Sequence, residues 1–226
     1  MDNVILEPLK LKRADGKAVQ AIYYNNSDIN NIEILNIKTL KFEGMKTKDI
    51  KKSQIHDAVL KVEEKIYLQN KKSKIVAGLS KKHLNKIIST IFTRDVESRH
   101  TYLKKELISN VDTIFFASIP ILKHPELKTQ ALYNNQIIHR MALPLKIGGL
   151  MFFVMITVKE RIDYQEMSID EFTVYDLYSQ TIKNKKPLDS SSTVSERTFR
   201  SHCQVTNYSI NDLIEFVNTN VKKNYR

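Results

Sequence analysis

Residues 136–160, QIIHRMALPLKIGGLMFFVMITVKE, constrain this chain more than any other stretch: two apolar runs joined by Gly148-Gly149. Glycine takes positive φ without steric penalty, so a Gly-Gly pair between runs of β-branched and aromatic residues predicts a tight hairpin. With the two glycines as the loop, paired positions sum to 297, which sets Ile147 opposite Leu150 and Arg140 opposite Thr157. One face then carries His139, Met141, Leu143, Leu145, Ile147, Leu150, Phe152, Val154, Ile156 and Val158, all apolar but the first, and is expected to face a core. The other face is mixed and, far from the turn, gathers Arg140, Thr157 and Lys159 within cross-strand or diagonal reach. Two cations and a hydroxyl suit an anionic ligand, and they equally suit a solvated strand end. Pro144 introduces an alternative, because proline within a strand usually marks an edge or a bulge. A bulge there would exchange Arg140 for His139 on the Thr157/Lys159 side.

Around the hairpin the pattern predicts an α+β plan, helices first and then an antiparallel sheet. Residues 1–73 read as a β-rich lead-in, with β-like pieces at Val19–Tyr24 and Ile32–Ile37, plus a helix from about Thr47 carrying Ile55, Val59, Val62 and Ile66. Residues 74–186 form the central unit. Lys74–Ala77 is a short strand, Ser80 an N-cap, and Leu84, Ile87, Ile88 and Ile91 the inward stripe of the helix that follows. A second helix begins near Thr93 and carries His100; Ser118–Leu122 is a strand ended by a Lys123-His124-Pro125 turn, and Phe172–Thr181 is another strand. Residues 187–226 comprise a linker and a C-terminal amphipathic helix from Ser209, with Leu213, Val217 and Val221 on its apolar stripe and Asp212 completing a capping box.

Charge narrows the partners. Thirty-six Lys and Arg against 25 Asp and Glu leave the chain at +11, a surplus that favours polyanions such as nucleic acid or an anionic membrane. The lone cysteine, Cys203, excludes an intramolecular disulfide. No secretory signal and no bilayer-spanning run are expected, since the longest apolar run is seven residues. Glycine-rich phosphate loops and HExxH are missing from the sequence, the six histidines are scattered, and the predicted strands offer no carboxylate cluster for a two-metal nuclease. No cofactor or metal is therefore expected.

Metal-free RNA cleavage needs a base near the 2′-hydroxyl, an acid at the leaving 5′-oxygen and cations on the non-bridging phosphate oxygens. His100, His139, Arg140, Thr157, Lys159 and Tyr175 are residues of the right types. DNA lacks the internal nucleophile, so such a set favours RNA. Each also has an ordinary use: His100 and His139 as packing residues, Tyr175 as a sheet aromatic beside Phe172 and Tyr178.

The succession Phe92-Thr93-Arg94, His100, Val111-Asp112-Thr113-Ile114-Phe115, His124-Pro125, Ile138-His139-Arg140, Gly148-Gly149, Ile156-Thr157-Val158-Lys159-Glu160 and Val174-Tyr175-Asp176-Leu177 resembles the phage-associated branch of the barnase/EndoU/colicin/RelE-like (BECR) nucleases. The resemblance spans roughly residues 74–186. It implies N-terminal helices packed on a four-stranded antiparallel sheet, an active site on the open sheet face and metal-independent RNA cleavage, and it carries His100, His139, Arg140, Thr157, Lys159 and Tyr175 over as site positions. On that footing His100 or His139 is the general base or acid, Arg140 and Lys159 bind phosphate, Thr157 positions, and Tyr175 stacks or transfers a proton. The expected protein is a toxin or mobile-element effector acting on tRNA, rRNA or mRNA in the bacterial cytoplasm, delivered by a phage or secretion system. Its partner would be an acidic immunity or antitoxin protein. Two other readings stay open: a catalytically silent module binding nucleic acid or phage proteins, and a membrane-surface role for the basic charge and terminal helix.

Overall fold

The computed structural model describes residues 7–26, 29, 32–61, 63–92, 99–128, 135–176 and 207–223. The N-terminal segment supplies β1 (Leu9–Lys12), β2 (Ala18–Tyr23), β3 (Ile32–Glu33) and β4 (Leu35–Ile37), followed by α1 (Lys52–Leu60) and β5 (Lys65–Gln69). Next come β6 (Val76–Ser80), α2 (Lys81–Phe92), α3 (Arg99–Ser109), α4 (Val111–Ala117) and β7 (Ile119–Pro125). The hairpin is β8 (Gln136–Ile147) and β9 (Leu150–Arg161), and β10 (Glu166–Asp176), β11 (Asn207–Tyr208) and α5 (Ile210–Lys223) complete the described elements.

The expected α+β plan of N-terminal helices on a four-stranded antiparallel sheet is corrected by this topology. The protein is a mixed α/β structure built on one nine-stranded sheet of order β1-β2-β7-β8-β9-β10-β6-β5, with β4 added alongside β8. Strands β7 to β10 are an antiparallel run within it, but β4 joins β8 in parallel and β6 joins β10 in parallel. The physical reason lies at the edges. A four-stranded run would leave the backbone donors and acceptors of β7 and β10 unpaired, and β2 pairs with the first while β6 pairs with the second at Ser168↔Gly78. Strands from before residue 74 thus belong to the same sheet as the hairpin.

The hairpin register is as its glycines dictate: Ile147 faces Leu150, Arg140 faces Thr157, and the ladder continues unbroken to Gln136↔Arg161. Gly148 and Gly149 have φ of 54° and 80°, the left-handed values that the turn requires. Pro144 causes no bulge and pairs with Phe153. It falls where β7 has ended, at Ala142, and β4 has not begun, at Leu145, so no neighbouring ladder on that side needs its N–H.

Both faces of the hairpin are covered, which the sequence pattern did not suggest. Met141, Leu143, Leu145, Phe152, Val154, Ile156 and Val158 pack with Ile55 and Val59 of α1, Leu84 and Ile88 of α2, Leu107 of α3 and Phe115 of α4. On the opposite face Ala142, Phe153 and Met155 meet Leu213, Phe216, Val217 and Val221 of α5 in a second core. The terminal helix therefore docks on the sheet, and its start is capped as its sequence predicts. Ser209 N–H donates to the Asp212 carboxylate at 2.8 Å, and Asp212 N–H donates back to Ser209 Oγ at 3.3 Å.

Several elements shift from expectation. The helix expected to include Ile66 stops at Leu60, where Lys61 has φ 53°, and Ile66 lies in β5. The strand expected at Lys74–Ala77 is Val76–Ser80, and Ser80 caps α2 by accepting the His83 N–H at 3.3 Å. The Lys123-His124-Pro125 turn is instead the end of β7, and the strand expected from Phe172 begins at Glu166. The start of the His100 helix at residues 93–95, the end of the last strand beyond residue 176, and Cys203 with most of the expected linker lie outside the described residues.

Candidate functional site

Strand alternation sorts the hairpin's polar residues onto two faces. Arg140 and Thr157, directly opposed, lie on the α5 side of the sheet, beyond the end of the second core, and each is only 3% exposed. An Arg140 Nη1–H donates to Thr157 Oγ1, and the Thr157 hydroxyl donates onward to Glu171 Oε2 at 3.5 Å. Arg140 Nη1 lies 3.8 Å from the same carboxylate oxygen. Lys159, one strand position along on the same face, bridges Glu126 Oε2 at 3.2 Å and Asp170 Oδ2 at 3.4 Å. Lys86 of α2 holds the other Asp170 oxygen at 2.8 Å.

These groups line one cavity of about 430 Å³, together with Lys104 of α3 and Lys128. Five cations and three carboxylates meet there: Lys86, Lys104, Lys128, Arg140 and Lys159 against Glu126, Asp170 and Glu171. The balance is positive, as an anion site requires. Burial alone would lower the Lys159 pKa, but Asp170 and Glu126 outweigh it and raise the pKa, so the ammonium stays charged. Burial would raise the Asp170 carboxyl, and Lys86 and Lys159 more than reverse that.

His139 is on the opposite face, as the preferred register predicts. Its Nδ1 accepts from the Tyr24 hydroxyl and its Nε2–H donates to Glu160 Oε2 at 2.9 Å. Burial lowers its pKa against the pull of Glu160, and burial followed by Glu160 pushes Tyr24 up to about 12. The cluster therefore holds a neutral tyrosine and a neutral imidazole against one carboxylate. His100 lies in α3 and Tyr175 in β10, paired with Phe153, and their side chains are outside the described residues. Of the six positions singled out from sequence, Arg140, Thr157 and Lys159 share the cavity, and His139 does not line it.

Sequence reasoning missed the three carboxylates. Glu126, just past the end of β7, is buried, with Oε1 accepting from Leu127 N–H at 3.0 Å. Asp170 and Glu171 lie where the β10–β9 register shifts, between Ile169 and Glu171. The signal was present: two acidic residues between Ile169 and Phe172 break the period-two alternation, as a bulge does. Bulges re-aim side chains, and this one brings Asp170 to Lys159 while Glu171 meets Arg140 and Thr157. Among the described residues no three His, Cys, Asp or Glu side chains gather as metal ligands, and no helix is long and apolar enough to cross a membrane.

No family model, curated protein or solved structure matches the chain.

Proposed function

We propose that this protein is a metal-independent endoribonuclease whose scissile phosphate binds in the Arg140/Lys159 cavity, in keeping with the resemblance of residues 74–186 to the barnase/EndoU/colicin/RelE-like nucleases. The observation that carries the reading is the donor chain from buried Arg140 through the buried Thr157 hydroxyl to Glu171, with Lys159 beside it in one cavity. Sinking a guanidinium this deep costs stability that an apolar side chain of similar size would not cost. A site that binds a phosphodiester gives the charge a use, because cations aimed at non-bridging oxygens stabilise the extra charge of the transition state.

The roles follow from exposure and connection. Arg140 and Lys159 hold the phosphate oxygens. Glu171, whose side chain is 46% exposed, is the accessible carboxylate and takes the proton from the 2′-hydroxyl. The 2′-oxygen then forms a bond to phosphorus while the bond from phosphorus to the 5′-oxygen breaks. That leaves a 2′,3′-cyclic phosphate and a 5′-hydroxyl. The leaving oxygen takes its proton from an acid, for which His100 is our assignment: its position on α3 is one turn before Lys104, which lines the cavity. His139, held between Tyr24 and Glu160 on the opposite face of the sheet, takes no part in this scheme. Cellular RNA, an acidic inhibitory partner and a phage or mobile-element origin in a bacterial cytoplasm belong to the same proposal.

The test is incubation of the purified protein with total bacterial RNA in EDTA, followed by end mapping. Discrete cuts bearing 2′,3′-cyclic phosphates, lost in Glu171→Gln and His100→Ala, are the expected result. Intact RNA with tight, salt-dependent binding would replace this reading with a binding module on the same residues.

A further inference from the structure

The sheet face that carries Arg140, Thr157 and Lys159 extends past the cavity to an exposed edge. One transverse row of paired residues runs Ile138, Lys159, Ser168, Gly78, Tyr67, from β8 across to β5. Directly paired residues project to the same face, so Tyr67 shares a face with Lys159 at a distance of about 14 Å, three inter-strand gaps. The burial pattern agrees: Ile66 and Leu68, its neighbours in β5, pack on the helix-side core, whereas Tyr67 is 65% exposed.

A second exposed ring lies five residues beyond Lys159 in the chain. Tyr164, in the turn between β9 and β10, is 67% exposed and lies 4.4 Å beneath the Arg161 guanidinium. Lys65 stands 4.8 Å over the Tyr67 ring in the same way. The two cations are joined through Glu166, which pairs in register with Arg161 and binds Lys65 Nζ at 2.6 Å. Gly78 makes that crossing possible, since a Cβ there would lie 2.7 Å from Lys65 Cε.

Burying apolar contacts does not explain two tyrosines left mostly in solvent, each with a cation on one side of the ring. Aromatic rings beside cations are what single-stranded nucleic acid needs: bases stack on the rings and phosphates meet the charges, with little dependence on sequence. In a duplex the bases are stacked on one another and cannot reach such rings. We propose that Tyr67 and Tyr164, with Lys65 and Arg161, form a base-stacking subsite for single-stranded RNA, continuous with the Arg140/Lys159 cavity. The proposal rests on the reading of that cavity as a phosphodiester site, and it sets the substrate class: the strand entering the cavity is unpaired over the nucleotides that flank the cut.

The test uses the full chain and a fluorescein-labelled 12-nucleotide 2′-O-methyl RNA, which cannot cyclise, offered single-stranded or as a blunt duplex, with binding read by fluorescence anisotropy. The single strand is expected to bind more tightly than the duplex. Tyr67→Ala and Tyr164→Ala are each expected to weaken its binding about ten-fold, and Tyr67→Phe to restore it. Alanine variants that bind as tightly as wild type, a duplex bound at least as tightly as the single strand, or no binding of either would overturn the subsite. Cleavage of unmodified RNA, followed in parallel, keeps the two readings apart. Tyrosine-dependent binding without cleavage removes the nuclease and keeps the subsite, and cleavage with unaffected alanine variants does the reverse.

Discussion

Arg140 and Thr157 face each other across the β8–β9 hairpin, and the guanidinium donates to the threonine hydroxyl in a setting where both residues are almost wholly out of water. That bond ties the position of the guanidinium to the register of the strands. A one-residue slip would send Arg140 to the helix-side core and His139 to the cavity. The Gly148-Gly149 turn therefore fixes more than the shape of a loop.

Replacing Arg140 by methionine separates its two costs. Cleavage should fall by roughly 100-fold or more, the usual effect of removing a preorganised donor from a developing anion. Stability should change little, because the carboxylate beside it, Glu171, is 46% exposed and keeps its water when the guanidinium goes. Initial rates on a defined RNA, with thermal melts of the same samples, check both halves. A variant that is inactive only because it is unfolded would refute the separation.

How far the sequence revealed this arrangement depends on the range of the interactions. The hairpin register and the sorting of His139 from Arg140 were legible because both follow from a local turn and a period of two. The partners of the hairpin's edges were not. Ile22↔Lys123 and Ser168↔Gly78 join residues far apart in the chain, and no local pattern in β2 or β6 names its neighbour. The docking of α5 was legible as an apolar stripe, but its seat on Phe153 and Met155 required knowing that the second hairpin face is also covered. The site's carboxylates were hidden for a similar reason. Glu126, Asp170 and Glu171 come from two separate segments, and each reaches Lys159 or Arg140 only through the sheet.

His124 should make stability fall in mild acid. Burial, with Arg140 and His139 adding to it, lowers its pKa to about 4, and its Nδ1–H donates to the Pro125 carbonyl at 2.7 Å. The unfolded chain binds that proton near pH 6.5. The contribution is thus fully present above pH 6.5 and is lost as pH falls toward 4, by up to about 3 kcal/mol. His124→Asn keeps an N–H for the carbonyl and removes the titration. Urea unfolding at several pH values between 7 and 4 should give a shallower loss for the variant. Parallel profiles would assign the acid sensitivity to other groups, His139 first among them, since burial lowers it as well.

Phe216 tests whether α5 is integral to the fold. Its ring is 4.8 Å from that of Phe153, and it is 5% exposed. Phe216→Ala should cost about 3–5 kcal/mol, as large-to-small changes in a packed core do. Because Phe153 lies in a central strand, the loss should shift the whole unfolding transition. Urea melts followed by circular dichroism would show a lower midpoint with one transition; an early separate loss of helix would mean that α5 unfolds alone.

Lys159 distinguishes a charge kept for binding from one kept for stability. It neutralises Glu126, whose side chain is 3% exposed, and half-buried Asp170, which Lys86 also holds. Lys159→Met leaves the Glu126 carboxylate buried without that cation, and should destabilise by about 3–5 kcal/mol, more than the same change at Arg140. Adding Glu126→Gln removes the stranded charge and should recover a large part of the loss. Cleavage should stay low in both variants, because the phosphate still lacks its ammonium. Stability and rate measured across the four members of the cycle decide the matter: recovery of both together would make Lys159 a structural counter-ion alone, whereas recovery of stability without rate marks it as a group that acts on the substrate.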